Sequence, residues 1–301
     1  MTPLLVVENL HVTFSVQGQP LHAVRGISFE VLKGEAVGIV GESGCGKSAA
    51  VQSITRLTPG KISGKILFEG RSNIAPGKEI GMVFQDPMTS LNPTMKIGAQ
   101  ITEGLIFHKM TSRHEAKQKA IELLKLVGIS DPELRVNQYP HEFSGGMRQR
   151  VLIAIATACN PQLLIADEPT TALDVTVQAQ ILDLLKQMQK HFQMSLLLIS
   201  HDFDVIARVC SKVLVMYAGK IVERGSVEDV LQRPQHPYTQ MLLNSRPRLD
   251  RPRSEPLQAI EGSPPNLRFI PNGCSFKERC PYAAPKCNQE PIGPVACWRA
   301  Q

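Results

Sequence analysis

The sequence lacks an apolar run long enough to cross a membrane. A membrane-spanning helix needs about 20 apolar residues, whereas the most apolar uncharged run, Val151 to Ala166, has 16 residues and contains Asn160, Pro161 and Gln162. The amino-terminal segment MTPLLVVEN has no basic residue and soon reaches Glu8, so we expect no secretory signal peptide.

The sequence also has no strong excess of positive over negative charge. Residues 1–230 contain 23 Lys and Arg against 22 Asp and Glu, and the last 71 residues contain 10 against 5. Surfaces that bind nucleic acid usually concentrate positive charge more densely, so we expect no nucleic-acid partner. The last 71 residues also carry 12 of the 22 prolines and 4 of the 7 cysteines. This change in charge, proline and cysteine content predicts a body over residues 1–231 and an irregular extension over 232–301.

Disulfides are not expected, because the cysteine count is odd and no secretion signal precedes it. Four cysteines nevertheless cluster in the extension, at Cys274, Cys280, Cys287 and Cys297, with the spacing C-x5-C-x6-C-x9-C. Clustered thiols of this kind favour a metal site, and thiolates suit Zn²⁺ or an iron–sulfur cluster. The C-x2-C pairs typical of structural zinc sites are missing. Four unconnected thiols are the alternative, which their crowding into 24 residues disfavours.

Short apolar runs alternate with helical patterns along the body, which predicts a parallel α/β sheet with ligand sites at the carboxyl ends of its strands. The predicted strands are Leu4 to Phe14, Ala36 to Val40, Glu79 to Phe84, Leu163 to Ala166, Ser195 to Ile199 and Val213 to Tyr217. A helix is predicted over Lys47 to Leu57, another that ends at Gly128, and a third that includes Ile181 and Phe192. Residues 96–140 show no strand pattern and predict a helical insert.

A phosphate-binding loop is predicted between the second strand and the first helix. Gly41 to Ser48 reads GESGCGKS and fits G-x-x-x-x-G-K-[ST] in the strand–turn–helix context that the motif requires. Glycines let the backbone wrap a phosphate, and N–H groups at the helix start supply positive potential. Lys47 is placed to reach the outer phosphates, and the Ser48 hydroxyl is a ligand for Mg²⁺. Cys45, within the loop, is either a thiol activated by the helix start or simply a small side chain.

Acidic and polar residues follow other predicted strands. Leu163 to Glu168 reads LLIADE, so Asp167 ends a buried strand where Mg²⁺ is held and Glu168 follows, where a carboxylate can polarise a water. Gln85 and His201 also follow strands, on the side where phosphates would lie. Phe143 to Arg150 reads FSGGMRQR, in which Ser144 can cap a helix and two glycines expose N–H groups. That segment predicts a second anion site.

In this order, these motifs resemble those of an ABC transporter ATPase subunit over residues 4–230. The resemblance implies an α/β P-loop ATPase with a RecA-like core, an antiparallel β subdomain and a helical subdomain at about 90–160. GESGCGKS is similar to Walker A, LLIADE to Walker B, FSGGM to the signature, and Ala172-Leu173-Asp174 to the D-loop. Phe143 and Met147 depart from the family's LSGGQ pattern. Two such domains close head to tail in this family, so each ATP lies between Walker A of one chain and the signature of the other.

The resemblance implies a role for each matching residue. It assigns catalysis to Glu168, His201, Lys47 and Gln85, and Mg²⁺ binding to Ser48, Gln85 and Asp167. The residues that it places against ATP are Phe14, Gly41, Glu42, Ser43, Gly44, Cys45, Gly46, Lys47, Ser48, Ala49 and Asp174, and it assigns Ser144, Gly145 and Gly146 to the ATP of the partner chain.

The extension resembles the carboxyl-terminal region of oligopeptide and dipeptide importer ATPases, through HPYT at His236, GSPPNL at Gly262 and GCSFKERCPYA at Gly273. The resemblance implies a 4Fe–4S cluster on Cys274, Cys280, Cys287 and Cys297, with Zn²⁺ as the alternative. It also implies two membrane permease subunits, a second ATPase that is related or identical, a periplasmic peptide-binding protein, and a location at the cytoplasmic face of the bacterial inner membrane. A nickel or other small-solute importer is one alternative function. A soluble ABC ATPase acting on DNA or ribosomes is another.

Overall fold

The computed structural model describes residues 2–171, 173–245, 260–270, 272–291, 293 and 295–300. The strands in this part of the chain are β1 (Pro3–Val16), β2 (Gln19–Leu32), β3 (Ala36–Val40), β4 (Lys61–Phe68), β5 (Ile80–Val83), β6 (Leu163–Asp167), β7 (Ser195–Ser200), β8 (Lys212–Tyr217) and β9 (Lys220–Ser226). The α-helices are α1 (Lys47–Ile54), α2 (Pro87–Ser90), α3 (Ile97–Phe107), α4 (Ala116–Leu126), α5 (Pro132–Arg135), α6 (Gly145–Thr157), α7 (Val175–Phe192), α8 (Phe203–Val209), α9 (Val227–Gln232) and α10 (Pro237–Asn244). Short 3₁₀ segments occupy Pro140–Glu142, Pro285–Asn288 and Trp298–Ala300.

The chain divides into two compact units. The first comprises Asn73–Ile199 together with Met1–Leu4 and Val31–Ala36, and the second comprises Leu5–Glu30, Val37–Ser72 and Ser200–Gln301. Within the described residues, no helix has both the length and the apolar character needed to span a membrane.

The first unit contains the parallel strands β5, β6 and β7, with β6 paired to both neighbours. All five residues of β6 are buried, which explains its uninterrupted Leu-Leu-Ile-Ala sequence. Helix α6 packs against α2, α3, α4, α7 and β5. Its residues Val151 to Ala154 are all buried, because neighbours on several sides cover more than one face of the helix.

The second unit contains a three-stranded sheet in the order β2-β1-β4, in which β1 and β4 are antiparallel. Strand β8 pairs in parallel with β3 and antiparallel with β9. All five residues of β3 are buried. Gly38 in β3 allows a close approach of α8, since a Cβ added there would collide with the Ile206 side chain.

The parallel α/β arrangement and the six predicted strands are confirmed. Each predicted strand coincides with one of β1, β3, β5, β6, β7 and β8 to within about two residues at each end. Residues 96–140 contain helices and no strand, as predicted. Residue Gly128, which adopts a φ of 74° just beyond α4, terminates that helix as expected.

Some boundaries and elements differ from the predictions. Helix α1 ends at Ile54 rather than at Leu57, because Arg56 adopts a left-handed φ of 57°. Strands β2, β4 and β9 were not predicted, since their polar residues lie at exposed positions and interrupt the apolar pattern. In the extension, α10 begins at Pro237, where the missing N–H of proline costs nothing.

The packing of α6 gives a test of the fold. We expect Ile153→Ala to lower the free energy of unfolding of the whole chain by about 2–5 kcal/mol, because the fully buried side chain leaves a cavity. Val175→Ala is the matched control, since this residue is 83% exposed and its loss should change stability by less than about 0.5 kcal/mol. Urea unfolding followed by circular dichroism measures both. Equal effects of the two substitutions would contradict the assigned packing.

Candidate functional site

The predicted phosphate-binding loop connects β3 to α1 in the second unit. Its glycines are required by the backbone: a Cβ at Gly41 would collide with the carbonyl oxygen of Met216, and one at Gly46 with that of Ala23. Gly46 also adopts a φ of 102° at the start of α1, a conformation that glycine favours. The N–H groups of the first turn of α1 therefore face the loop without side chains that would exclude a phosphate.

Lys47 lies within the loop rather than in solvent. Its side chain is 4% exposed, and its Nζ donates to the carbonyl oxygens of Gly41 at 2.8 Å and Glu42 at 3.0 Å. The ammonium thus stands at the beginning of the loop, inside the curve of its backbone. The contact of Lys47 with the outer phosphates stays a prediction from the sequence motif.

The other predicted residues of the second unit differ in exposure. Phe14, at the end of β1, and Ser48, in α1, are half-buried, and His201, directly after β7, is exposed. Cys45 is buried, and burial raises the pKa of its thiol against the opposing effect of nearby Lys47. The structure therefore favours the interpretation of Cys45 as a small packed side chain over that of an activated thiol.

The first unit contains Asp167 and Glu168. Asp167 is the last residue of β6 and is 2% exposed. Glu168 turns away from the strand with a φ of 46°, and its N–H donates to the carbonyl oxygen of Ile199 at 3.0 Å. The strand therefore ends at Asp167, and Glu168 begins the turn that follows it.

Glu168 is held in place by two side chains. Its Oε2 accepts hydrogen bonds from Nε2 of Gln85 at 3.3 Å and from Oγ1 of Thr171 at 3.0 Å. The structure thus brings together Gln85 and Glu168, which sequence reasoning predicted at separate strand ends. Thr171 was missed, because a hydroxyl three residues after a carboxylate is common in turns and carries no distinctive signal.

The signature segment forms the start of α6. Ser144 caps the helix, with its Oγ accepting a hydrogen bond from the N–H of Met147 at 3.4 Å. Ser144 and Gly145 are exposed, so this helix terminus is available to an anion from another molecule. Gly146 is required for a different reason, since a Cβ there would meet the Val177 side chain of α7 at 2.7 Å.

The departures from the LSGGQ pattern leave the cap intact. Phe143 is buried, with the Arg135 guanidinium 5.8 Å from its ring centre, and Met147 still supplies the N–H for Ser144. Asp174 caps α7, because its Oδ1 accepts from the N–H of Val177 at 3.0 Å. Ala172, the first residue of the predicted D-loop, lies outside the described residues.

The four cysteines of the extension line one cavity of about 380 Å³ in the second unit. All seven cysteines of the chain are free thiols. Burial raises the pKa of the Cys274 and Cys280 thiols, and the neighbouring cysteines add to the effect. Among the described residues, no three His, Cys, Asp or Glu side chains stand close enough together to hold a single metal ion.

The chemistry of this cavity is otherwise suited to an anion. Its lining includes the basic residues Lys277, Lys286 and Arg299 and, within the described part of the chain, no carboxylate. His236 also lines the cavity and is 1% exposed. Its Nδ1 accepts from the N–H of Tyr238 at 3.0 Å, which leaves the proton on the buried Nε2, near the backbone of Ala296. Burial lowers the pKa of His236 to about 4, against a smaller opposing effect of the Ala296 backbone.

Arg279 and Tyr238 contact the phosphate-binding loop and were not predicted as site residues. The Arg279 guanidinium pairs with the Glu42 carboxylate, and the Tyr238 hydroxyl accepts the Glu42 N–H. Both residues lie in segments that the sequence singles out, HPYT and GCSFKERCPYA. Their partner Glu42, however, lies 237 and 196 residues earlier in the chain, and no local sequence pattern predicts such contacts.

Comparison with known proteins shows the family to which this chain is similar. The family described as "ABC transporter" matches residues 24–171, and the family described as "Oligopeptide/dipeptide transporter, C-terminal region" matches residues 222–287. The chain is 54% identical over 296 residues to the oligopeptide transport ATP-binding protein OppD of Bacillus subtilis, which covers 94% of this chain and 83% of that protein. It is 50% identical over 302 residues to the dipeptide transport ATP-binding protein DppD of the same organism, covering 96% and 90%.

Solved structures support the fold. The dimeric ATP-binding cassette MJ0796 bound to ADP and phosphate is similar with a TM-score of 0.66 and 26% identity, over 74% of this chain and 98% of that one. CbiO1 of Clostridium perfringens, part of the transporter complex cbiONQ, is similar with a TM-score of 0.65 and 28% identity, over 77% and 92%.

The environment of Glu168 gives a test of its role. We expect Glu168→Gln to keep ATP binding but to lower ATP turnover by at least about 100-fold, because the amide keeps the contacts of the side chain and cannot accept a proton from water. Glu122→Gln is the matched control, since this exposed glutamate pairs with Lys119 away from the site. Phosphate release and nucleotide binding measure the two quantities. Unchanged hydrolysis in Glu168→Gln would remove the residue from catalysis.

Proposed function

This chain belongs to the ATP-binding subunits of ABC transporters, in the oligopeptide and dipeptide group, and we propose that it hydrolyses ATP to drive the import of short peptides. The observation that carries the proposal is the combination of a complete ATPase motif set with a carboxyl-terminal region that matches the oligopeptide/dipeptide family over residues 222–287. The relatives that share at least 50% of its residues have names that describe oligopeptide or dipeptide transport.

Some residues of the ATP site would bind the nucleotide and Mg²⁺, and another would activate the attacking water. Lys47 and the N–H groups of α1 would bind the β- and γ-phosphates, and Ser48, Gln85 and Asp167 would hold Mg²⁺, which neutralises charge on the phosphate oxygens. Glu168, held by Gln85 and Thr171, would orient the attacking water and accept its proton. His201 would contact the γ-phosphate, and Phe14 the adenine.

A second ATPase chain would complete the site. The capped terminus of α6, with Ser144 and Gly145 exposed, supports this role, because a helix N-terminus attracts an anion. Val175 lies beside Asp174 at the start of α7 and is 83% exposed. An apolar side chain so exposed next to the predicted D-loop supports burial against a second chain, whether identical or related.

The membrane partners would dock on the helical part of the first unit. The apolar residues Met88, Phe107, Met110 and Leu134 are between 45% and 79% exposed there. Several exposed apolar side chains on one small group of helices support a contact surface. We therefore propose that this surface binds two permease subunits at the cytoplasmic face of the bacterial inner membrane, and that a periplasmic binding protein delivers the peptide to them.

We further propose that the extension holds a 4Fe–4S cluster on Cys274, Cys280, Cys287 and Cys297. A tetrahedral zinc site brings its sulfurs within about 3.8 Å of one another, since each lies about 2.3 Å from the metal. A four-iron cluster instead takes one thiolate on each iron, so its ligands surround a larger cavity. The position of all four thiols in the lining of one cavity, together with its basic side chains, supports the cluster.

His236 supports the same assignment. It lines the cavity, and its buried Nε2–H, with the Ala296 backbone nearby, would be a donor to a sulfur of a bound anionic cluster. When bound, such a cluster can exchange single electrons at a potential that depends on hydrogen bonds to its sulfurs. The protein's own contribution is to exclude water and to supply positive charge from Lys277, Lys286 and Arg299.

The cluster proposal is tested on protein purified without oxygen. We expect about four iron and four sulfide per chain, with a broad visible absorbance that Cys280→Ser diminishes, because one ligand is lost. Cys159→Ala is the matched control, since this buried cysteine lies outside the cavity. One zinc per chain with no sulfide would contradict the cluster and support the zinc alternative. The absence of any metal would support four unconnected thiols.

Peptide import is tested by uptake of a labelled dipeptide and a labelled tripeptide in cells. We expect uptake to fall to background in cells that lack the chain and in cells that carry Glu168→Gln, while the exposed substitution Glu122→Gln leaves it unchanged. Loss of nickel uptake with normal peptide uptake would move the substrate to the metal-importing relatives. Normal uptake of both, with the ATPase intact, would favour an ABC ATPase that acts outside transport.

A further inference from the structure

We propose that Arg279 of the cysteine-bearing extension is a positioning residue for the ATP site, holding Glu42 and with it the beginning of the phosphate-binding loop. ATP affinity then depends on the order of the cysteine segment, which is defined here as residues 274–280. This inference rests on the proposed function in that the loop binds ATP and the cysteines hold a group.

The ion pair between Arg279 and Glu42 is bidentate and shielded. Nη1 of Arg279 lies 2.7 Å from Oε2 of Glu42, and Nη2 lies 3.0 Å from Oε1. The two side chains are only 6% and 24% exposed, whereas those of the surface pair Lys65–Glu8 are 59% and 54% exposed. Two parallel charge-assisted bonds fix both the position and the plane of the carboxylate.

Other groups fix the guanidinium. Its Nε donates to the carbonyl oxygen of Glu261 at 2.9 Å, and Nη1 also donates to the Tyr217 hydroxyl at 3.3 Å. The rings of Tyr217 and Phe276 lie 5.8 and 6.0 Å from the guanidinium carbon. Burial opposes the charge, but the bonds to Glu42 and Tyr217 outweigh it, so the pKa of Arg279 is raised. The residue therefore keeps its charge in this half-enclosed position.

Glu42 makes three contacts, and through them it connects the extension to the phosphate-binding loop. Its carboxylate pairs with Arg279, its N–H donates to the Tyr238 hydroxyl at 2.9 Å, and its carbonyl oxygen accepts from Nζ of Lys47 at 3.0 Å. Two of these three partners belong to the extension. A shift of Glu42 would therefore move an acceptor of the lysine that contacts the phosphates.

The cysteine segment links Arg279 to the cavity. Cys280 follows Arg279 directly, and the N–H of Cys274 donates to the carbonyl oxygen of Cys287 at 2.9 Å. Between them, Phe276 is 1% exposed and packs edge-on against Tyr217 at 5.2 Å between ring centres. A group bound to Cys274 and Cys280 would fix both ends of the segment. Its loss would release the segment and, with it, the hold on Glu42.

The test measures the KM for ATP and kcat of the purified full chain, prepared without oxygen. We expect Arg279→Gln to raise the KM for ATP by about tenfold while kcat changes less than about twofold, because the loop is loosened and Glu168 is untouched. Arg279→Lys should recover part of the affinity, since it keeps the charge but not the fork. Arg268→Gln is the matched control, because Arg268 lies in the same extension and its side chain bonds to Gln17.

A double-mutant cycle separates positioning from general destabilisation. We expect Glu42→Gln combined with Arg279→Gln to raise the KM no further than the larger single effect, because both remove the same pair. Cys280→Ser should likewise raise the KM in the wild-type background and add little to Arg279→Gln. Three results would each overturn the inference. They are additive effects in the double variant, an unchanged KM in Arg279→Gln, and a KM in Arg279→Lys that rises by the same factor as kcat falls. These KM and kcat values do not depend on peptide transport, which the uptake experiment tests separately.

Discussion

The phosphate-binding loop must pass so close to neighbouring backbone that its first and sixth positions have no room for a side chain. Carbonyl oxygens of Met216 and Ala23 occupy the places where Cβ atoms of Gly41 and Gly46 would lie. Strand β3, buried along its whole length, fixes where the loop begins, and helix α1 fixes where it ends. Lys47 is placed inside the curve as a consequence, and so is the surface that Glu42 offers to the extension. The chemistry of the second unit follows from this one turn.

Sequence reasoning succeeded where the physical requirement is local. The loop, the strand that ends in Asp167, and the capping residue Ser144 each depend on neighbours within a few positions, and each is placed as predicted. The strands of the antiparallel sheet were missed, because β4 is mostly exposed and carries no apolar alternation. The end of α1 was misjudged because the left-handed conformation of Arg56 has no signal in its residue type.

The contacts that sequence reasoning missed join residues far apart in the chain. Gln85 and Glu168 were both predicted, yet their hydrogen bond depends on the pairing of β5 with β6, which a sequence read locally does not specify. Arg279 and Tyr238 meet Glu42 across 237 and 196 residues. The extension was predicted to be irregular and metal-binding, but not to contact the ATP site. Because of that contact, we propose that the extension supports the phosphate-binding loop in addition to holding a metal group.

ATP hydrolysis is the proposed source of energy for peptide movement, and the most direct measurement is the ATPase rate of the reconstituted complex in proteoliposomes. This chain, its permease subunits and its partner ATPase would be assembled with the peptide-binding protein outside and ATP inside. We expect peptide-loaded binding protein to stimulate hydrolysis and labelled peptide to accumulate in proportion to the ATP consumed. Hydrolysis that is indifferent to peptide, or that responds to nickel instead, would contradict this proposal.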